Sequence, residues 1–457
     1  MEVRPPLCPP DWVRDAVFYQ IFPDRFRNGD PACDPPGAQA WGDPPTHHSF
    51  FGGDLIGVRD ALPYLRSLGI NALYLTPIFT GSTNHKYDGE DYFRVDPAFG
   101  GDEAFRSLRS AVHEQGVRVV LDGVFNHCGV GHPFFRDVAE RGRCSPYWKW
   151  FLIRGERPQA IPEPNYACWA GHAQLPEWNL DHPPVRDYLL AVVRHWLAQG
   201  IDGWRLDTVE YLPPDFVRDI YRVAKNANPR AYVLGETMGL ATSWFRHRAL
   251  DGVMHYKLRE GLVRFLAEET WDAPRFALYA RGLWASYPRE ANYACYTLLG
   301  SHDVPRFLTL CGGDARRVAL GAAFLFAYPG APAIYYGDEI GLEGGEDPDC
   351  RRTFPWDERV WNHRLQETFR TLARLRGQEP ALRQGDVRWH YAERRALAFL
   401  RGLPEVEILF ALNAGNEDSA VPVPPGGRWA DPLTGERLSG RLPLAPLGFR
   451  YLKRRCR

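Results

Sequence analysis

The chain has 457 residues, 45% hydrophobic and 24% charged, which supports a large core and two or three domains, one of them able to be a barrel of about 250 residues or more. Lys and Arg (55) nearly balance Asp and Glu (56), so a formal net charge of −1 offers no general attraction to nucleic acid or to a membrane surface. The nine Cys are odd in number and form no CxxC pair, which argues against a disulfide framework and a zinc cluster. The opening stretch, MEVRPPLCPPDWVRD, has no apolar core of a signal peptide, and no 18-residue apolar run follows. A cytoplasmic protein without a membrane span is expected.

Taken in order, short β-branched or aromatic runs recur at 17–23, 72–78, 118–125, 203–209, 231–236, 252–256, 294–300 and 333–336. Helical patterns lie between most of them. Phe105, Leu108 and Val112 repeat ahead of Gly116, and Val185, Leu189, Val192, Val193 and Trp196 repeat ahead of Gly200. Strands alternating with helices read as βαβ units, and eight units read as a (β/α)8 barrel. Between the third and fourth runs the spacing exceeds one unit by about 50 residues, rich in Gly, Pro and Trp. That excess reads as a small domain, 128–182, inserted after strand three. The barrel then comprises 1–127 and 183–376. Beyond 376, alternating runs at 395–400 and 406–412 separated by Gly, Pro and Asn predict an antiparallel β-sandwich domain, 377–457.

Three acids close apolar runs: Asp207, Glu236 and Asp303. A carboxylate there is costly to desolvate, so folding alone rarely asks for it. One at a strand end is as readily a buried ion pair; three at matching ends favour a shared site. Their separations of 29 and 67 residues place them after strands four, five and seven, at one mouth of the barrel. Arg205 shares a strand face with Asp207 and favours its ionised form, as a nucleophile requires. Partial desolvation of Glu236 favours the protonated form that a general acid needs. Asp303 and His302 are placed to bind sugar hydroxyls. Two such carboxyls about 5–5.5 Å apart would cleave a glycosidic bond with retention of configuration. Asp122, ending strand three, has a structural task in pairing with Arg205. His127 nearby is either a sugar donor or a satisfied core histidine.

The segments DGVFNH (122–127), GWRLDTVE (203–210), LGE (234–236) and GSHD (300–303) resemble, in order and spacing, the four short regions of the α-amylase family of retaining α-glucan glycosidases. FGGDLIGV (51–58), HKYDGEDYFRVDPAFG (85–100), LPEWNLDHP (175–183), GAPAIYYGDEIG (330–341) and DPDCRR (347–352) are similar to its neopullulanase, cyclomaltodextrinase and maltogenic amylase branch. The resemblance covers about 11–376. It implies Asp207 as nucleophile, Glu236 as general acid/base and Asp303 as transition-state stabiliser. It further implies that Arg205, His127 and His302 hold the reacting sugar, that Tyr87 stacks beneath it, and that Asp347 and Arg351 shape the non-reducing end of the pocket. The implied partner is an α-glucan oligosaccharide or polysaccharide, cleaved at α-1,4 bonds with some transglycosylation. Two departures fall at acceptor positions. Met238 replaces an aromatic, and Thr208-Val209-Glu210-Tyr211 replaces a VANE-like sequence. The N-terminal β-domain usual in the branch is not seen ahead of the barrel, which favours a monomer.

Asn28, Asp30, Asp34, Gly52 and Asp54 lie on Gly- and Pro-containing turns. Their hard oxygens suit Ca²⁺, and turn chemistry alone accounts for the same residues. The branch uses this pattern for a structural calcium ion, with Cys33 here at a usual ligand position. Two rival readings remain: a trehalose-forming isomerase or transferase on the same site, and a non-catalytic carbohydrate-binding relative.

Overall fold

A computed structural model describes residues 8–456. Eight short strands form its centre: β1 (Phe18–Ile21), β2 (Ala72–Leu75), β3 (Arg118–Gly123), β4 (Gly203–Leu206), β5 (Tyr232–Gly235), β6 (Gly252–Val253), β7 (Tyr296–Leu298) and β8 (Ala331–Tyr335). They are parallel and ordered β6-β5-β4-β3-β2-β1-β8-β7. A parallel bridge from Met254 to Tyr296 joins the last two edges and nearly closes the barrel. The strands are buried on both faces, so they read as apolar runs rather than alternations. Successive side chains still point oppositely. Phe18, Tyr74, Val120, Tyr232, Leu234 and Tyr296 fill the barrel. Their neighbours Tyr19, Leu73, Val119, Leu121, Trp204 and Val233 pack outward.

The helices follow the sequence period. In α1 (Gly101–Glu114) Ala104, Phe105, Leu108 and Val112 are buried. In α2 (Pro183–Ala198), begun by a proline whose missing N–H costs nothing at that position, Val185, Leu189, Val192, Val193 and Trp196 are buried. Trp196 stacks on Phe79 with centroids 4.9 Å apart, meets Phe105 edge-on, and donates its indole N–H to Tyr92 O at 2.7 Å. Truncating it would remove about 3–5 kcal/mol of packing. Gly116 (φ +70°) and Gly200 (φ +92°) turn the chain after these helices in a conformation other residues rarely adopt.

Between β3 and β4 the chain leaves the barrel. It forms a helix at Pro133–Arg141 and is then stitched by single bridges, Phe151 to Trp178, Ile153 to Tyr166 and Cys168 to Pro176. A further bridge joins His127, just beyond β3, to Glu177. Aromatic packing around Trp178, including Phe151 stacked at 5.1 Å, orders this segment. After a last barrel helix, α3 (His363–Gln378), come β9 (Asp386–Glu393), β10 (Ala396–Leu403), β11 (Val406–Asn413), β12 (Ser419–Pro422), β13 (Trp429–Ala430), β14 (Arg437–Leu438), β15 (Arg441–Leu444) and β16 (Gly448–Arg455). A six-stranded sheet, β9-β10-β11-β16-β13-β14, faces the β12–β15 pair across Leu400, Leu409, Val421, Leu442 and Leu444. The opposite face docks on the barrel through Phe399 and Phe410 against Phe324, and through the Tyr451 hydroxyl donating to Ala323 O at 2.8 Å.

Candidate active site

The mouth of the barrel gathers the acids around one guanidinium. Arg205 is fully buried on β4. Its Nη1 donates to Asp122 Oδ1 and to Asp207 Oδ1, each at 2.8 Å. Its Nη2 lies 2.7 Å from Glu236 Oε1. Asp122 also accepts from the hydroxyls of Tyr74 (2.6 Å) and Tyr87 (3.0 Å). Asp207 and Glu236 follow β4 and β5 directly, and main-chain bonds fix both: Asp207 N–H to Gly123 O at 3.2 Å and Glu236 N–H to Leu206 O at 3.0 Å. Thr208 then adopts φ +41°, ψ 48°, a left-handed conformation costly for a β-branched residue. That turn directs its N–H to Glu236 Oε2 at 2.9 Å.

Asp303 differs from the sequence reading in one respect. β7 ends at Leu298, and the acid sits five residues later, on a loop closed by a Ser301–Val304 bridge. Ser301 Oγ accepts the Asp303 N–H at 3.2 Å and pairs with the Tyr256 hydroxyl at 2.9 Å. Asp303 Oδ1 lies 3.3 Å from His302 Nε2 and 3.5 Å from Arg351 Nη2, while Oδ2 is buried without a partner. The loop still delivers the carboxylate to the shared mouth, because the strand direction sets where the loop begins.

The residues assigned to sugar binding also converge. Tyr87 and His302 stack with rings 5.5 Å apart and 5° from parallel, and the tyrosine hydroxyl meets His302 Nε2 at 2.5 Å. Gln20 Nε2 reaches His302 Nδ1 at 2.7 Å from beneath. His127 is buried, and its Nε2 has no partner. Asp347 Oδ1 pairs with Arg351 Nη1 at 3.1 Å, and Arg351 Nε donates to His302 O at 2.8 Å. An unpaired imidazole nitrogen and an unpaired carboxylate oxygen in one buried mouth are groups that a polyhydroxylated ligand would satisfy.

Burial dominates the electrostatics. It lifts Asp207 well above the usual carboxylate range; Arg205 opposes this, and the charges of Glu236, Asp122 and Asp303 reinforce it. Arg205 acts in the direction expected from the sequence, but one guanidinium is shared among three carboxylates, so burial outweighs it in the free site. Burial also pushes Asp303 up to about 7, with the Glu236 charge next in size. His127 falls to about 3 and His302 well below its ordinary value, both chiefly by burial, so both rings are neutral. The cluster therefore retains a proton near neutrality, shared among coupled carboxyls, as an acid/base reaction needs.

Sequence reasoning missed Trp169. It sits on a turn of the inserted segment with Ala170 at φ 49°, and its ring lies against His127 at 5.7 Å. Only an aromatic-rich insertion was visible in the sequence. The departures noted above also show their shape. Glu210 Oε1 accepts from the Thr237 hydroxyl and from Gly239 N–H, clipping the loops after β4 and β5 together. Tyr211 (59% exposed), Met238 (45%) and Leu240 (56%) stand out beside that clip as an apolar rim.

The calcium candidates lie together after β1. Asn28 Nδ2 donates to Asp34 Oδ1 at 2.7 Å, leaving Asn28 Oδ1 buried and unpartnered. A Cβ at Gly52 (φ +78°) would come within 2.3 Å of Asp34 Oδ1, so only glycine permits this approach. Asp54 is committed to main-chain N–H groups of Gly29, Asp30 and Gly57, and Asp30 Oδ1 accepts from Ala32 N–H. Among the described residues no three His, Cys, Asp or Glu side chains form a metal cage. The cradle fits a hard cation only with amide and carbonyl oxygens included.

Residues 20–394 match the family described as alpha amylase, catalytic domain. The chain is 44% identical over 452 residues to a cyclomaltodextrinase of Geobacillus thermopakistaniensis, spanning 96% of this chain and 77% of that protein. It is 42% identical to neopullulanase 2 of Thermoactinomyces vulgaris, spanning 94% and 75%. The ligand-free structure of a cyclic α-maltosyl-(1→6)-maltose hydrolase from Arthrobacter globiformis superposes with a TM-score of 0.93 at 39% identity, covering 98% of this chain and all of the other. With the acids of its four short regions gathered at the mouth of the barrel, this chain belongs to the α-amylase family of glycoside hydrolases.

Proposed function

We propose that the chain hydrolyses α-1,4-glucosidic bonds of maltodextrins and cyclodextrins with retention of configuration, and transfers some glycosyl groups to sugar acceptors. The observation carrying this reading is the trio Asp122, Asp207 and Glu236 ordered around one buried Arg205, with Asp303 facing them. In this mechanism Glu236 protonates the leaving oxygen while Asp207 attacks the anomeric carbon, forming a glycosyl-aspartate. Glu236 then deprotonates water or a sugar hydroxyl, which attacks the same carbon and frees Asp207. Asp303 and His302 hold hydroxyls of the distorted ring, His127 donates to another, and Tyr87 stacks beneath it. Asp347 and Arg351 bound the non-reducing end. The apolar rim of Tyr211, Met238 and Leu240 favours an acceptor sugar over water and supports the transfer component.

The domain limits of this reading are 1–127 with 183–376, 128–182 and 377–457. No helix among the described residues is long and apolar enough to cross a membrane. A relative 38% identical is named intracellular maltogenic amylase, of Bacillus subtilis, which supports a cytoplasmic location. A structural calcium ion at Asn28, Asp30, Asp34, Gly52 and Asp54 belongs to the same proposal; it would neutralise the acidic turns and take no part in bond cleavage.

Asp207→Ala is expected to abolish turnover of maltoheptaose while leaving the circular dichroism unchanged; a fully active variant removes the assignment. Glu236→Gln should lose maltoheptaose hydrolysis yet still attack an activated aryl glucoside. Equal rate losses on both substrates would contradict the acid/base role. Glucose and maltose as products of maltotriose separate this reading from an isomerase that forms trehalose.

A further inference from the structure

We infer that Gln20 is a positioning residue for the reaction: it fixes the ring proton of His302 on Nε2, the nitrogen turned toward Tyr87 and Asp303. The inference rests on the reading that His302 holds the reacting sugar. Gln20 shares the inward face of β1 with Phe18 and is fully buried. Its backbone is held between two strands, in register with Tyr74 on β2 and Tyr335 on β8. Its Nε2 lies 2.7 Å from His302 Nδ1, while its Oε1 is buried without a partner. An amide satisfied at one end only is a cost inside a barrel, and an apolar side chain of similar shape would suit the fold better. Folding alone therefore gives no reason for a glutamine at this position.

Packing orients the His302 ring but leaves its proton undecided. The ring stacks on Tyr87, and Phe22 lies 6.4 Å away. Arg351 Nε and Cys350 Sγ donate to the His302 main-chain oxygen at 2.8 and 3.2 Å. None of these contacts tells one ring nitrogen from the other. Because burial keeps the ring neutral, one nitrogen donates and the other accepts.

The neighbours decide which is which. Both oxygens of Asp122 accept from Arg205 Nη1, at 2.8 and 2.9 Å, and Oδ2 also takes the Tyr74 hydroxyl at 2.6 Å. Surrounded by donors, Asp122 has only an acceptor to offer, and the Tyr87 hydroxyl directs its single proton there at 3.0 Å. Tyr87 Oη must then accept from His302 Nε2, 2.5 Å away. Asp303 Oδ1, 3.3 Å from the same nitrogen, also calls for a donor. A proton on Nδ1 would instead set a lone pair of Nε2 against the Asp303 carboxylate and turn the Gln20 amide over. The ordered chain runs from Gln20 through His302 and Tyr87 to Asp122, each group donating to the next. His302 Nε2–H and Asp303 Oδ1 thereby stand side by side as donor and acceptor. A sugar hydroxyl needs both, since it gives one hydrogen bond and takes another.

The test locates the proton by long-range ¹H–¹⁵N correlation on the full-length chain carrying ¹⁵N-histidine, with the His302 signals assigned by their loss in His302→Gln. The wild-type ring is expected to be neutral near pH 7, with its proton on Nε2 alone. Gln20→Met keeps the length of the side chain and removes the donor. It should melt close to wild type, show both tautomers, and lose about tenfold in kcat on maltoheptaose with KM little changed. A purely structural glutamine would move the melt and leave the tautomer and kcat alone. A wild-type proton on Nδ1 overturns the inference, whether or not Gln20→Met folds. A folded Gln20→Met that keeps the single Nε2–H tautomer, or full kcat, overturns it as well. Full activity of His302→Gln on maltoheptaose is a different failure: it removes the sugar-holding reading on which the inference rests.

Discussion

Glu339→Gln should flatten the fall in stability expected of the wild-type chain as pH rises from about 4.5 to about 7. Glu339 lies on a short turn after β8, fully buried. Its Oε1 accepts from the Tyr19 hydroxyl at 2.8 Å and from the Tyr64 hydroxyl, while Oε2 is buried and unpartnered. Burial pushes its pKa from 4.5 up to about 7, against the lowering effect of the two tyrosines. An acid whose folded pKa is raised contributes its stability below the unfolded value and loses it as pH climbs through the folded value. The window here runs from about 4.5 to about 7, and the loss amounts to about 3 kcal/mol. Glutamine keeps an acceptor for the tyrosines but sets an N–H₂ where Oε2 lacks a partner, a pH-independent cost of about 1–3 kcal/mol. The variant should therefore be the weaker protein at pH 4.5, and the difference should shrink by about 3 kcal/mol by pH 8. Urea unfolding of both proteins across that range measures it, and the catalytic carboxyls cancel because both proteins carry them. Two parallel stability–pH curves would refute the reasoning.

Arg205→Met should destabilise the chain by about 3–5 kcal/mol at pH 7, because Asp122, Asp207 and Glu236 lose their counter-charge inside the barrel. The deficit should narrow at pH 4.5, where protonation replaces the missing cation; an equal deficit at both pH values in urea titrations argues against charge as the cause. Trp169→Ala should raise KM for maltoheptaose about tenfold with little change in kcat on an aryl glucoside, given its ring against His127; an unchanged KM would show that the wall does not touch substrate. Added Ca²⁺ at a hundredfold excess over Kd should contribute about 2–3 kcal/mol relative to EDTA-treated protein, and superimposed thermal melts would exclude the cation.

The barrel was legible because its strands are apolar runs and helices such as α1 and α2 show their period. The edges were less so. Residues 331 and 332 belong to β8, but proline usually interrupts a strand, which hid that start; β7 was overestimated because the apolar Ala294 ends a helix rather than beginning the strand. Among site residues, Asp207 and Glu236 stand directly after their strands, where local patterning reaches. Asp303 is carried by a loop and Trp169 by the insertion, and their positions depend on tertiary contacts that no local period encodes. The pairing of Asp122 with Arg205 was visible from adjacent strands. The balance of burial against Arg205 at Asp207 was not, since it depends on how many carboxylates share one cation.

The left-handed Thr208 sets the demands of stability against those of catalysis at a single position. Glycine there would release backbone strain of about 1 kcal/mol or more, a gain that selection for a sturdier protein would welcome. The same freedom would let the peptide swing away from Glu236 Oε2, loosening the acid that must meet the leaving oxygen. Laboratory evolution for heat resistance alone should therefore enrich Thr208→Gly, and selection for turnover should restore the threonine.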